Sequence, residues 1–232
     1  MILLDDVSKD YGNNKGIFKI NLELNQGIIG FLGENGAGKT TTIKIIMGML
    51  TPDSGKVFIM GKNLWEDNNY YLTKKYIGFL PDADILFPDL TGRENLELSS
   101  YFKTGDRNWY NRLKEIIENF SLTDFLDEPF KTYSSGMKRK MHILNSIIGE
   151  PPILILDEPH NGLDVMSNIK MKAFLKEYAS KQNRLIFFSS HIIEMVEDLC
   201  EYVIIIHKGK ITSQIRLTRD INLTEYYIKN TI

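Results

Sequence analysis

The densest chemistry in the chain lies in Gly33-Glu34-Asn35-Gly36-Ala37-Gly38-Lys39-Thr40, followed by Thr41. These residues spell G-x-x-x-x-G-K-T, the pattern in which successive backbone N–H groups curl around a phosphate chain. The glycines let the backbone approach the phosphates without a side chain in the way. Lys39 has the reach for the outer phosphates, and the Thr40 hydroxyl is placed to ligate Mg²⁺. A helix beginning here adds roughly half a positive charge at its N-terminus. Asn35, Gly36, Ala37, Gly38, Lys39, Thr40 and Thr41 are thus candidate ligands of a nucleotide phosphate.

A second group carries acids. Ile153-Leu154-Ile155-Leu156 is apolar throughout and ends in Asp157-Glu158. An apolar run of that length reads as a buried parallel strand, whose carboxyl end is where open α/β sheets bind ligands. Asp157 is suited to hold Mg²⁺, directly or through water. Glu158, one residue on, points elsewhere and is suited to poise a water against a γ-phosphate.

These groups need elements to position them. Residues 28–32 are apolar and short, as a buried strand is, and Ile43, Ile46, Met47 and Leu50 recur on one face of a helix after the loop. Two strands are expected at 1–7 and 17–24, with the glycine- and asparagine-rich 12–16 as the turn between them. In the second, Phe18, Ile20, Leu22 and Leu24 alternate with Lys19, Asn21 and Glu23. Short strands follow at 56–60 and 75–80. Past Pro81 the pattern becomes helical. Thr91 caps a helix with Glu94 in the capping-box position, and Trp109, Leu113, Ile116, Ile117 and Phe120 form an amphipathic stripe. After 153–156 come a helix at 165–179, a strand at 185–188, a helix at 192–199 and strands at 202–207 and 210–215. Residues 222–232 receive no assignment. The resulting class is α/β. Residues 1–81 and 150–216 form a catalytic core, 82–149 an inserted helical lobe and 217–232 a tail.

Composition narrows the function. The chain has 232 residues, 43% hydrophobic and 25% charged, which is ample for one large domain. A net charge of −2 gives no basic footprint for nucleic acid. The single cysteine, Cys200, forms no internal disulfide and suits a reducing cytosol. The first residues lack the basic and apolar regions of a signal peptide, and no apolar run approaches the ~18 residues of a membrane span. Any service to a membrane runs through another chain.

Three further stretches complete a resemblance. Tyr133-Ser134-Ser135-Gly136-Met137 resembles the signature, usually L-S-G-G-Q, of the ATP-binding cassette of ABC transporters. His160-Asn161-Gly162-Leu163-Asp164 is similar to its D-loop, and Ser189-Ser190-His191 to its switch-histidine loop. Pro81-Asp82 stands where the Q-loop would be, and Tyr11 where an aromatic stacks on adenine. The order of these motifs covers residues 1 to about 216.

The resemblance implies a P-loop, RecA-like core with an antiparallel β subdomain, and ATP and Mg²⁺ as cofactors. It implies catalytic roles for Lys39, Glu158 and His191, the last bonding the γ-phosphate. It makes Thr40, Asp157 and Asp82 the metal ligands. Ser134, with the N–H groups of Ser135 and Gly136, would form an anion site that meets ATP bound to the P-loop of a second chain in a head-to-tail dimer. Asp164 would contact that opposite chain, although it is equally an N-cap. Tyr11 on adenine would contribute about 1–3 kcal/mol by analogy with base stacking; the other reading is an edge aromatic in the core. His142 and His207 read as structural, and His160 as a D-loop variant.

Departures from the motif matter. Ser135 and Met137 replace a glycine and the glutamine, as in short bacterial export cassettes. Asp82 replaces the Q-loop glutamine. Slow but real hydrolysis is expected. The implied protein is the ATPase subunit of an exporter, held at the cytoplasmic face of a membrane by a separate transmembrane subunit near residues 82–89, with a peptide or antimicrobial as cargo. A ribosome- or DNA-directed relative is the other reading; it is disfavoured by the single cassette, the small helical lobe and the acidic charge. A GTPase would need a guanine-reading N-K-x-D stretch, which is not found.

Overall fold

The computed structural model describes residues 1–66, 69–105, 107–218 and 220–231. Its order is β1 (Ile2–Asp10), β2 (Gly16–Leu24), β3 (Gly27–Leu32), α1 (Lys39–Ile46), β4 (Ser54–Ile59), β5 (Lys62–Asn63), α2 (Asn69–Lys74) and β6 (Ile77–Leu80). Helices α3 (Gly92–Thr104), α4 (Trp109–Asn119) and α5 (Ser135–Ile147) follow. Then come β7 (Ile153–Asp157), α6 (Val165–Ser180), β8 (Leu185–Ser190), α7 (Ile193–Leu199), β9 (Tyr202–His207), β10 (Lys210–Arg216) and α8 (Leu223–Thr231).

Two sheets result. One is antiparallel in the order β2-β1-β4-β5; the other runs β10-β9-β3-β8-β7-β6. In the second, β9, β3, β8, β7 and β6 are parallel and β10 is antiparallel at the edge. Its parallel strands are apolar on both faces because both faces are covered, whereas edge strand β10 carries polar residues. Ile28, Leu32, Leu154, Leu156, Ile186 and Phe188 enter one core with helices α3 to α7. Their neighbours Ile29, Phe31, Ile153, Ile155, Leu185 and Phe187 enter the other, with α1 and the antiparallel sheet. Each buried side chain of this size contributes about 1.5–3 kcal/mol.

The parallel register sets the site. Leu32 pairs with Ser190, Ser189 with Asp157, and Leu80 with Leu156. The P-loop, Asp82, Glu158 and His191 therefore leave adjacent strands at one carboxyl edge.

Several boundaries differ from expectation. Helix α1 ends at Ile46 with Met47 as C-cap, so Leu50 lies beyond it, packed on the core from the loop. In β2, Ile17 rather than Phe18 joins the buried row, because the ladder shifts register and Lys19 takes a positive φ of 50°. Strand β8 continues through Ser189 and Ser190, both fully buried, so these serines are strand and not loop. Residues 75 and 76 precede β6, which follows the unforeseen α2. The unassigned tail contains α8, anchored by buried Leu223. Around α3 the reading stands: Thr91 and Glu94 form a reciprocal capping box.

Candidate functional site

The phosphate loop joins β3 to α1. Gly38 is the N-cap of α1 at φ 112°, and a Cβ there would lie 2.7 Å from Ile17 Cγ2. Only glycine meets both conditions. The β1–β2 hairpin thus flanks the loop, and Tyr11 stands in its turn, 56% exposed. That exposure rules out the core reading of Tyr11.

Lys39 is buried, and an ammonium out of water needs partners. Its Nζ donates to the Gly33 carbonyl at 2.7 Å and the Glu34 carbonyl at 3.2 Å. Glu158 Oε1 lies 3.3 Å from the same nitrogen. Glu158 is itself buried and holds a left-handed φ of 49°, a conformation that non-glycine residues adopt mainly where the surroundings enforce it. Its Oε2 lies 3.0 Å from His191 Nδ1. A continuous path of contacts therefore runs Lys39–Glu158–His191.

Asp157 sits beside this path. Its Oδ2 accepts from Thr40 Oγ1 at 3.1 Å and its Oδ1 from Ser189 Oγ at 2.5 Å. Ser189 Oγ also accepts from the Glu158 N–H at 3.0 Å, fixing both acids to β8. Burial raises the Asp157 carboxyl pKa; Ser189 and Thr40 oppose the rise, and Asp82 and Glu158 reinforce it. A hydroxyl beside a buried carboxylate is an oxygen donor pair that suits Mg²⁺. Asp82 is exposed and accepts from Asn161 Nδ2 at 3.4 Å.

Sequence reasoning missed Arg139. It lies on α5, 5% exposed, and donates through Nη1 to Pro81 O at 2.6 Å and through Nε to Pro159 O at 3.3 Å. Its Nη2 donates to the carbonyls of Asp157 and Glu158. One side chain thus ties the signature helix to the ends of β6 and β7. Burial lowers its guanidinium pKa, and the nearby carboxylates of Asp82, Asp157 and Glu158 oppose the change. Sequence reasoning also missed Asn95. This buried side chain on α3 accepts from Phe87 N at 2.8 Å and donates to Phe87 O at 3.0 Å, folding residues 87–91 against the helix. On the same stretch, Asp84 meets Lys138 at 2.9 Å and His142 at 3.1 Å.

The signature stands apart. Ser134 is the N-cap of α5, exposed, its Oγ accepting from Met137 N at 3.2 Å. Among the described residues no hydrogen bond joins Ser134 or Ser135 to the phosphate loop. A Cβ on Gly136 would lie 2.9 Å from Gly162 O, so the helix start rests on the 160–164 loop. Asp164 is exposed and caps α6, accepting from Ser167 N at 2.8 Å. His142 is buried against Asp84 and edge-on to Phe130, as a structural histidine. His160, read as a loop variant, instead turns inward beside Glu158.

A phosphate loop, a strand-end Asp-Glu pair and a histidine on one sheet edge define a P-loop nucleotide hydrolase. Residues 17–161 match the ABC transporter family. The bacitracin transport ATP-binding protein BcrA of Bacillus licheniformis is 36% identical over 93% of this chain and 69% of its own. A solved ATP-binding subunit of an ABC transporter superposes with TM-score 0.90 at 27% identity, covering 99% of both chains. The cassette MJ0796, solved as a post-hydrolysis dimer with ADP and Pi, gives TM-score 0.83 at 26% identity over 94% of this chain and 99% of its own. The chain belongs to the ATP-binding cassette family of ABC transporters, and it is an ATPase.

Proposed function

We propose that this chain powers an exporter by binding and hydrolysing ATP between two cassettes, coupled to a transmembrane subunit on another chain. The observation that carries the reading is the division of the site. Lys39, Glu158 and His191 already form one path of contacts and Thr40 and Asp157 a bonded pair beside it, while Ser134 faces solvent.

The hydrolytic half works through its own side chains. The phosphates of ATP take over Lys39 from the Gly33 and Glu34 carbonyls and from Glu158. The freed Glu158 carboxylate orients the attacking water and accepts its proton. His191 holds Glu158 Oε2 through Nδ1, leaving Nε2 for the γ-phosphate. Mg²⁺, held by Thr40 and Asp157 with Asp82 nearby, would neutralise phosphate charge when bound. Tyr11 supplies a face for adenine. Ser134, Ser135 and Gly136 of one cassette close over the nucleotide of the other, with Asp164 at the joint.

No helix among the described residues is long and apolar enough to cross a membrane. Residues 82–89 present Ile85 and Phe87, each more than half exposed, on a segment stapled by Asn95. That apolar, rigidly held stretch suits a helix of the transmembrane partner, which would hold the chain at the cytoplasmic face. The name of the Bacillus licheniformis relative supports a peptide antimicrobial as cargo. The acidic charge supports no nucleic-acid partner.

The test is turnover of Glu158→Gln, expected to fall ~10²-fold or more with ATP binding retained. Turnover equal to wild type would remove Glu158 from this role.

A further inference from the structure

His160 is the one imidazole at the hydrolytic edge that the proposed function does not use. Its side chain is only 9% exposed. Both ring nitrogens are buried and lack hydrogen-bond partners. Unpaired buried polar atoms are rare in native proteins and call for an explanation. The ring lies 5.8 Å from that of His191, centroid to centroid, and its Nε2 is 3.6 Å from Glu158 Oε2, too far for a hydrogen bond. His191 Nδ1 approaches that same oxygen at 3.0 Å. One donor atom each from Glu158, His160 and His191 lies within 4.8 Å of the others.

Two imidazoles and a carboxylate form a donor set for Zn²⁺-class ions rather than for Mg²⁺. Tetrahedral Zn²⁺ with bonds of about 2.0–2.2 Å sets its donors roughly 3.3–3.5 Å apart. The two measured separations bracket that spacing. Lys39 engages Oε1, which leaves Oε2 for a metal. His191 is 41% exposed, so an ion can enter from that side and keep a water as fourth ligand.

We propose that Glu158 Oε2, His160 and His191 Nδ1 form a Zn²⁺ site at the hydrolytic centre, separate from the Thr40–Asp157 pair. The ion would engage the carboxylate and the imidazole needed to activate water, so the zinc form holds ATP without turning it over. That inhibition, unlike the binding, rests on the role proposed for Glu158.

The test titrates Zn²⁺ into the nucleotide-free full-length chain against a chromogenic chelator, with Co²⁺ as a visible-absorption probe of geometry. One equivalent should bind and Co²⁺ should give four-coordinate bands. Loss of outer-shell partners already weakens metal sites 10–100-fold, so His160→Gln and His191→Gln should each weaken binding at least about 100-fold. Cys200→Ser, His142→Gln and His207→Gln remove the remaining cysteine and histidine donors, and each should leave binding intact. His160→Gln must bind ATP as wild type does; if it does not, His160→Asn takes its place. Undiminished Zn²⁺ binding in the 160 variant, or its loss in Cys200→Ser, His142→Gln or His207→Gln, overturns the site. Zinc that binds as described without slowing hydrolysis overturns instead the role of Glu158.

Discussion

The two anion-directed regions of this chain are built in opposite ways. At the sheet edge, Lys39, Asp157 and Glu158 are buried and each is bonded to another element. At the signature, Ser134 and Ser135 are exposed, and among the described residues the Ser134 hydroxyl is engaged only by its own helix. Burial demands partners, so the first region is assembled by folding alone. Exposure leaves the second region available to another molecule. Arg139 reaches from the signature helix to the ends of both β6 and β7.

The comparison can be broken most severely at its closed end. Asp157→Ala and Glu158→Gln should both cut turnover by ~10²-fold or more, measured by phosphate release. Only the Asp157 substitution should also weaken Mg²⁺-dependent nucleotide binding. Next comes the link between the regions. Arg139→Met leaves buried carbonyls at 81 and 157–159 without donors. At about 1–3 kcal/mol for each of these four groups, the loss should be at least about 4 kcal/mol, read by urea unfolding. It should lower turnover as well, since both acids shift. At the open end, Ser134→Asn keeps an N-cap of equal quality and should change stability by less than about 0.5 kcal/mol. ATP-dependent self-association should nevertheless weaken at least about tenfold. A variant that associates as wild type does would mean that Ser134 is only a cap.

The smallest effect tests the lobe's internal electrostatics. Burial lowers the His142 pKa, and its bond to Asp84 offsets this only in part. The unfolded chain therefore binds more protons than the folded chain as pH drops below the ordinary histidine range. Stability tied to neutral His142 is present above that range and is lost as pH falls through the depressed value. His142→Gln should flatten the stability profile between about pH 7 and 5. A steeper profile in the variant would reverse the sign.

What the sequence made legible was local. The phosphate loop, the acid pair at the end of β7 and the Thr91–Glu94 box each occupy a few consecutive residues, and their spacing carries their geometry. What stayed hidden depends on distant backbone. Arg139 matters because it meets the carbonyls of 81 and 157–159, and nothing in 135–147 announces that. Ser189 and Ser190 resemble the start of the switch-histidine loop, yet they end a buried strand where Ser189 meets Asp157. His160 reads only as a D-loop variant, and nothing in its sequence position announces that it turns inward beside Glu158. Helix α2 has only six residues, two of them tyrosines, too few for a 3.6-residue period to emerge. Helix α8 is set by its packing on β9, β10 and α7.

In this mechanism one chain carries half of each ATP site and exposes the complementary half. Sedimentation of purified Glu158→Gln, with and without ATP and Mg²⁺, tests it most directly. The account predicts a monomer that becomes a dimer only with nucleotide, and a return to monomer when Ser134→Arg is added. A protein that binds ATP at saturation yet stays monomeric, or a dimer indifferent to Ser134→Arg, would contradict it.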